Sequence, residues 1–205
     1  YDLAMLLIKQ AKELYFGDSD LEVELENNVF AIDATTIDLC LSTFHWATFR
    51  STKGGIKLHT QLDLKTAIPE FIYFSTASVH DVNALDFICF EANSFYIMDR
   101  GYVDYKRLYN IHCCKAFYIT RTKDNMDYRR LYSHTVDKSK GVLCDQTIML
   151  NGFYAAKKYP EKMRRIKFYD AETGKALIFL TNHFHLKATE VAQLYKHRWK
   201  IELFF

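Results

Sequence analysis

Three short apolar runs constrain the fold of this chain more than any other feature. They cover residues 29–32, 95–98 and 116–121, and they are rich in β-branched and aromatic residues, as is typical of buried strands. A helical pattern over about 104–112 lies between the second run and the third. A strand, a helix and a strand in this order favour parallel pairing through a right-handed crossover. The sequence therefore predicts an α/β fold.

Further segments add helices and strands to this framework. Lys53-Gly54-Gly55 indicates a turn, and Asp81 is a predicted N-cap. The other predicted elements are a helix over 1–16, a strand over 29–41 that passes Asp33 and then continues as a turn or a second short strand, a strand pair over 56–64 and 70–76, and a helix over 82–90.

The stretch 122–182 has a different character, with strand-like pieces separated by polar turns. These pieces cover residues 143–150, 164–169 and 176–181. From Thr189 onward the pattern is helical again. We therefore predict a core formed by residues 1–121 and 183–205, and a β-rich insertion subdomain formed by residues 122–182.

Composition excludes few classes of protein. The chain is 49% hydrophobic and 25% charged, as in soluble globular proteins, and its net charge of +2 does not by itself indicate a nucleic-acid binder. No apolar run is long enough for a membrane span, and no signal-peptide pattern is present. Five cysteines without a C-x-x-C pair are predicted to be buried free thiols in a reducing cytoplasm. The first residue, Tyr1, and a final helical pattern without a stop signal suggest part of a longer protein.

Two aspartates follow the first two apolar runs directly. They are Asp33 and Asp99, and Glu202 lies in the last helical segment. Carboxylates at the ends of neighbouring strands can converge, and hard cations such as Mg²⁺ take oxygen ligands. Two such ions can orient a nucleophile and stabilise the leaving oxygen when a phosphodiester is cut. The three carboxylates are therefore a predicted site for two divalent metal ions.

The last helical segment carries a second pattern. Tyr195, Arg198 and Glu202 are spaced i, i+3 and i+7, which places them on one helix face. A cation and a phenol beside a metal-binding carboxylate could grip a phosphate. Taken alone, the spacing favours an ordinary amphipathic helix with an Arg–Glu pair four residues apart.

Five motifs occur in order along nearly the whole chain. They are Asp33-Ala-Thr-Thr-Ile-Asp38, Lys53-Gly-Gly-Ile-Lys-Leu-His59, Val79-His-Asp81, Met98-Asp-Arg-Gly-Tyr102 and Tyr195-x-x-Arg198-x-x-x-Glu202. Together they resemble a DDE transposase of the bacterial insertion sequence 4 family, in the subgroup marked by a Y-R-E-K signature. The resemblance implies a ribonuclease-H-like mixed sheet flanked by helices, with a β-rich insertion before the last catalytic helix.

The resemblance also implies an activity and its participants. Asp33, Asp99 and Glu202 would bind two Mg²⁺ ions, for which Mn²⁺ can substitute, and Tyr195 and Arg198 would contact DNA phosphates. The implied reaction is cleavage at transposon ends followed by strand transfer. The implied partners are double-stranded terminal inverted repeats and target DNA, bound by a dimer in the bacterial cytoplasm, without a membrane. A ribonuclease-H-like nuclease that does not join strands, and an inactive DNA-binding remnant, stay open as alternatives.

Other charged residues are assigned by their position near these motifs. Asp38 and Asp104 are spare carboxylates that could replace a member of the triad. Arg100 and Tyr102 flank Asp99 and are candidates to position it. The further predicted DNA contacts are Lys57, His59, Arg100, Arg164 and Arg165, for which a solvated surface is the alternative.

Two remaining groups are assigned less specific roles. Phe153, Tyr154 and Tyr169 could stack on an unpaired base, although core packing is the favoured interpretation. His183 and His185 are more consistent with a loop or strand edge than with a metal pair, since no further His or Cys is suitably spaced.

Overall fold

The computed structural model describes residues 2–15, 21, 25–40, 42–43, 45–50, 53–122 and 125–205. In this part of the chain, ten strands form one mixed sheet. The strands are β1 (Val29–Leu39), β2 (Thr48–Arg50), β3 (Lys53–Asp63), β4 (Pro69–Thr76), β5 (Phe95–Met98), β6 (Phe117–Arg121), β7 (Tyr128–Ser133), β8 (Val142–Leu150), β9 (Met163–Asp170) and β10 (Lys175–Thr181). The α-helices are α1 (Asp2–Leu14), α2 (Tyr105–Cys113), α3 (Phe153–Lys158), α4 (Ala188–Lys196) and α5 (Trp199–Phe204).

The strand order combines an antiparallel part with a parallel part. The order is β2-β3-β1-β5-β6-β10-β9-β8-β7, and β4 also pairs with β3. β3 runs antiparallel to both β1 and β4, whereas β5 is parallel to β1 and β6 is parallel to β5. Three antiparallel strands followed by two parallel ones form the ribonuclease-H-like arrangement, so the predicted fold class is confirmed. The helix α2 makes the predicted crossover between β5 and β6.

The residues between 122 and 182 extend this same sheet. β7 to β10 pair antiparallel in sequence order, and β10 pairs antiparallel with β6. The three predicted strand pieces correspond to β8, β9 and β10, and β7 and α3 are additional elements. The segment is therefore β-rich, as expected, while its division from the core as a subdomain stays a prediction.

The strand β7 ends the sheet on this side. Its register with β8 shifts between Arg130 and Tyr132, which marks a β-bulge. The side chains of Arg129, Arg130, Leu131 and Tyr132 are all exposed. This end of the sheet is thus short, interrupted and positively charged.

Both faces of the central strands are buried, because successive side chains alternate between the faces. Phe30 and Ile32 of β1 pack into a cluster that includes Leu108 of α2. Val29 and Ala31 pack into a second cluster on the opposite face, built with α4 and α5; its members from these helices are Val191, Ala192, Leu194 and Ile201. The continuous apolar runs of the sequence are explained by this burial on two sides.

Three predicted elements differ from the structure. β1 continues through Leu39 without a turn, and the predicted turn at Lys53–Gly55 is the beginning of β3. Gly55 pairs with Asp38, and a Cβ there would lie 3.1 Å from the Cβ of Ala77. Gly55 thus allows β3 to lie close to the segment that carries Ala77, and it does not form a turn.

The predicted helix over 82–90 is also wrong in type. A short 3₁₀ helix covers Asp81–Asp86 and its N-cap is His80. The Asp81 carboxylate lies 2.8 Å from Lys57 Nζ, so it pairs with the neighbouring sheet instead of capping a helix.

The cysteines and the helices bear on two further expectations. Cys40, Cys89 and Cys113 are exposed, and Cys114 and Cys144 are partly exposed, so the prediction of buried thiols is wrong; all five are free. Among the described residues, no helix has the length and apolar character that a membrane span requires.

Candidate active site

The two predicted aspartates lie side by side at one end of the sheet. Ile32 of β1 pairs with Met98 of the parallel strand β5, and Asp33 and Asp99 are the residues that follow. Burial along β1 ends at the same point, because Ile32 is buried and Asp33 is partly exposed. The strand pairing therefore brings two carboxylates to the edge of the core.

The Asp99 carboxylate is oriented by the turn that follows β5. Asp99 caps a 3₁₀ helix over Arg100–Tyr102, and its Oδ1 accepts a hydrogen bond of 2.7 Å from the backbone N–H of Gly101. A Cβ at Gly101 would stand 2.9 Å from this oxygen. The backbone carbonyl of Asp99 accepts a hydrogen bond from the Thr120 hydroxyl, which ties the turn to β6.

The segment that carries Glu202 is not one continuous helix. α4 ends at Lys196 and α5 begins at Trp199, although His197 and Arg198 keep right-handed helical backbone angles. Because the break is this mild, the predicted face is retained. The Arg198 guanidinium carbon lies 5.8 Å from the centroid of the Tyr195 ring, and Arg198 Nη2 donates to Glu202 Oε1 at 2.5 Å.

Arg198 also connects the helical segment to the sheet. Its Nη1 donates to Asp33 Oδ2 at 2.7 Å, while Asp33 Oδ1 accepts a hydrogen bond of 2.8 Å from the backbone N–H of Ala34. The guanidinium thus lies between Asp33 on β1 and Glu202 on α5. Arg198 Nε is buried and has no hydrogen-bond partner among the described residues.

The acidic side chains influence one another electrostatically. Burial raises the pKa of Asp33, and the charges of Asp99 and Glu202 raise it further; the Ala34 N–H and Arg198 act in the opposite direction. Burial also raises the pKa of the Tyr102 phenol, with further contributions from Asp33, Asp81 and Asp99. The carboxylates of Asp33, Asp99 and Glu202 therefore repel one another, and a cation between them would relieve this repulsion.

The donor atoms of this site suit a divalent metal ion in type. Asp33, Asp99 and Glu202 offer carboxylate oxygens, the ligands that hard cations prefer, and their mutual repulsion would be relieved by a cation. Among the described residues, no group of three or more His, Cys, Asp or Glu side chains is arranged to hold a metal ion. In this structure Arg198 supplies the balancing charge at Asp33 and Glu202.

Lys57 and His59 face protein partners. Lys57 Nζ donates to the backbone carbonyl of Val79 at 2.7 Å and pairs with Asp81. His59 is fully buried and its Nε2 lies 2.8 Å from Ser75 Oγ; burial lowers its pKa. This burial does not support the predicted DNA contact of His59, which stays a prediction.

Arg164, another predicted DNA contact, also lies inside the fold. It is buried and binds both carboxylate oxygens of Asp145, at 2.9 and 2.6 Å, and its Nη1 donates to the Leu186 carbonyl at 2.6 Å. The Arg164 charge is paired inside the fold, which does not support the predicted DNA contact. Arg165 is partly exposed and lies over the Tyr128 ring, 5.2 Å from the centroid. Arg100 is exposed beside Asp99.

The spare carboxylates and the histidine pair have local roles. Asp104 caps α2 by accepting a hydrogen bond from the Arg107 N–H at 3.0 Å. Asp38 lies near the exposed end of β1. His183 Nδ1 accepts a hydrogen bond from the Leu186 N–H, and burial, with His185 and Arg164, lowers the pKa of His183 to about 4.

The three aromatic residues that were candidates to stack on a base are not in the core. Phe153 and Tyr154 on α3 are 76% and 79% exposed, and Tyr169 is 44% exposed. The favoured interpretation of core packing is therefore wrong.

Sequence reasoning missed the position of Asp81. This residue pairs with Lys57, and its charge raises the pKa of buried Tyr102 together with the charges of Asp33 and Asp99. It belongs to the same acidic region. The His-Asp pair of the motif Val79-His-Asp81 was a signal that could have indicated this.

Comparison with known proteins identifies the family. Residues 24–205 match the model of the transposase DDE domain. The chain therefore belongs to this family, and the predicted resemblance to DDE transposases is confirmed. The narrower assignment to the insertion sequence 4 family and its Y-R-E-K subgroup stays a prediction.

Two curated proteins show the same relationship. The chain is 32% identical over 198 residues to a protein of Sinorhizobium fredii named as a transposase, y4zB, covering 94% of this chain and 55% of that protein. It is 24% identical over 176 residues to a protein of Geobacillus stearothermophilus named as a transposase for the insertion sequence element IS5377, covering 85% and 46%. The chain thus spans about half the length of these relatives.

A solved structure also aligns with the chain. It is the endonuclease V of Streptomyces avermitilis, with 9% sequence identity, a TM-score of 0.34 and coverage of 97% of this chain and 83% of that one. A TM-score of this size carries no argument about fold or function.

Proposed function

We propose that this chain is the catalytic core of a transposase that cuts DNA at transposon ends and joins the ends to target DNA. The observation that supports this most directly is the meeting of Asp33 and Glu202 at Arg198, with Asp99 on the adjacent strand end. Membership in the transposase DDE domain family supports the same reaction.

Each residue of the acidic site has a proposed role. Asp33, Asp99 and Glu202 hold divalent ions, two Mg²⁺ or Mn²⁺ in our proposal. Bound there, the ions supply the Lewis acidity that orients the attacking oxygen and stabilises the leaving oxygen. The Gly101 N–H fixes one oxygen of Asp99, which presents the carboxylate in a defined direction.

Tyr195 and Arg198 are proposed to hold a DNA phosphate beside the carboxylates. A guanidinium can bind a phosphate through two parallel hydrogen bonds, and the Tyr195 ring lies next to it. Water attacks in the cleavage step and the freed 3′-hydroxyl attacks in the joining step. No covalent bond between protein and DNA forms in this scheme.

The proposed partners are double-stranded transposon ends and target DNA. Two ends must be held together during joining, so we propose a dimer on DNA. We place the reaction in the bacterial cytoplasm, where the chromosome is accessible.

The first test is cleavage by the full-length protein with Asp99→Asn. The amide oxygen can still accept the Gly101 hydrogen bond, so the turn is kept while the charge is lost. We expect cleavage of an end-containing duplex to fall by about 10²–10³-fold or more, as when one preorganised charge-stabilising group is removed. Asp104→Asn is the matched control, because Asn also caps helices well.

Normal cleavage by folded Asp99→Asn would contradict the proposal. Loss of cleavage in Asp99→Asn fits both a transposase and a ribonuclease-H-like nuclease. A joining assay of the wild-type protein with precut ends separates the two, because only the transposase joins the 3′-hydroxyl to a second duplex.

A further inference from the structure

We propose that Arg198 competes with divalent metal ions for Asp33 and Glu202, and that a DNA phosphate releases it. Metal ions and DNA would then strengthen each other's binding through this one side chain. The inference rests on the proposed function, because it takes Asp33 and Glu202 as metal ligands.

The first step of the argument is the position of the guanidinium. Arg198 donates to Asp33 Oδ2 at 2.7 Å and to Glu202 Oε1 at 2.5 Å. Only 17% of the Arg198 side chain and 21% of the Asp33 side chain are exposed, so water screens this pair less than a surface pair. A metal ion at these oxygens would carry the same sign of charge as the guanidinium. Metal binding therefore requires Arg198 to move or to share its partners at a cost.

The second step is that the other carboxylate oxygen of Asp33 also has a hydrogen-bond donor. Oδ1 already accepts a hydrogen bond from the Ala34 N–H. With Arg198 in place, both oxygens of Asp33 have donors. Glu202 is an exposed residue at the end of the same bridge, so its carboxylate can turn to a new partner more easily than Asp33 can.

The third step is that Arg198 has hydrogen-bonding capacity to offer. Its Nε is buried and finds no partner among the described residues, and an unpaired buried donor is unfavourable. Arg presents five donors in a planar fork that matches phosphate. A phosphate that binds Nε and one Nη would satisfy this donor and draw the side chain away from the carboxylates.

Reciprocity follows from these steps. If a DNA phosphate raises the affinity for metal by some factor, metal raises the affinity for DNA by the same factor. Without DNA, Arg198 neutralises the acidic site and disfavours metal. The site would then bind its metal ions well only when DNA is bound.

The test is calorimetric titration of the chain with Mn²⁺ in the absence of DNA. We expect Arg198→Gln to bind Mn²⁺ about tenfold more tightly than wild type, the effect of losing hydrogen bonds between charged groups. Arg198→Lys keeps the charge but loses the fork, so we expect an intermediate gain. Circular dichroism and thermal unfolding check that each variant is folded, and Arg198→Lys serves if Arg198→Gln does not fold.

The matched control is Lys196→Gln. Lys196 lies two residues earlier and pairs with Glu172 at 2.5 Å, so its loss removes the same charge from the same helical segment without touching Asp33 or Glu202. We expect its Mn²⁺ affinity to equal that of wild type. A gain as large as that of Arg198→Gln would mean a long-range charge effect and would overturn the competition.

The second titration is made with a nonspecific duplex at concentrations where fluorescence anisotropy shows that it is bound. We expect DNA to raise the Mn²⁺ affinity of wild type and to have a much smaller effect on Arg198→Gln. Equal gains in both proteins would overturn the release by phosphate.

The outcomes separate this inference from the proposed function. Equal Mn²⁺ affinity of wild type and Arg198→Gln, abolished in both by Asp33→Asn, would overturn the competition and leave the metal site intact. No Mn²⁺ binding by folded Arg198→Gln, with or without DNA, would overturn the metal site and the inference with it.

Discussion

Burial raises the pKa of the Asp33 carboxyl, and the charges of Asp99 and Glu202 act in the same direction. The folded chain therefore holds a proton on Asp33 at a pH where the unfolded chain has released it. Stability falls as pH rises through the interval between the ordinary pKa of 3.8 and the raised one. At neutral pH the ionised carboxylate destabilises the fold, even though Arg198 offsets part of the effect.

We accordingly expect Asp33→Asn to be more stable than wild type at pH 7. The gain should be about 0.5–2 kcal/mol, the usual range for a stabilising substitution, and it should shrink as pH falls toward 3.8. Urea unfolding at several pH values measures it, with Asp38→Asn as the control on the same strand. A loss of stability at pH 7 would show that the Arg198 pair outweighs burial.

The same residues show what sequence can and cannot predict at this scale. Asp33 and Asp99 could be singled out because each directly follows an apolar run. The burial of Arg164 could not be predicted from the sequence, because its partner Asp145 lies 19 residues earlier on a neighbouring strand. Only the register of β8 with β9 brings the two residues together. A run of basic residues in the sequence gives no information about that register.

At the scale of elements, Asn182 joins the returning strand β10 to β6. Its side-chain oxygen accepts a hydrogen bond of 3.0 Å from the Tyr118 N–H, and its Nδ2 donates to the Ala116 carbonyl at 2.8 Å. The amide thereby continues the main-chain pairing that ends at Thr181. It fixes the point at which the chain leaves the sheet for α4 and the catalytic segment.

We expect Asn182→Asp to destabilise the protein, because a carboxylate cannot donate to the Ala116 carbonyl. A buried acceptor left without its donor costs about 1–3 kcal/mol. Chemical denaturation with tryptophan fluorescence measures the change, and Asn110→Asp on the exposed side of α2 is the control. Equal stability of Asn182→Asp and wild type would show that the amide does not contribute to the junction.

Elements with a strong local pattern were predictable, and elements defined by distant contacts were not. The strands β5 and β6 were predicted from continuous apolar runs and α2 from a helical pattern, because burial on both faces of the two strands leaves that signal within a few neighbouring residues. The glycines at the start of β3 resemble a turn in sequence but serve the approach of Ala77. The break between α4 and α5 has no proline or glycine to indicate it.

At the scale of the whole molecule, the exposed positive charge on and next to α3 is carried by lysines. Lys157 and Lys158 of α3 and Lys162 are exposed, whereas Arg164 is buried against Asp145. We expect Lys157→Gln/Lys158→Gln to weaken binding of the full-length protein to DNA. The slope of log affinity against log salt should fall by about 0.9 for each lysine that contacts a phosphate.

Anisotropy titrations with duplex DNA at several salt concentrations test this expectation. Lys9→Gln on α1 is the control, with an exposed lysine on a different element. An unchanged slope in the double variant would remove α3 from the DNA-binding surface.

The bulged, positively charged strand β7 has a consequence that concerns the protein at high concentration. A strand that ends a sheet offers its main chain to any other extended segment, including another copy of itself, and so invites aggregation. The bulge beside Arg130 interrupts that template, and the like charges of Arg129 and Arg130 repel a second copy. These two arginines therefore oppose aggregation through the edge of the sheet. Replacing them with neutral residues to test DNA contacts would also make edge-to-edge pairing of two copies easier.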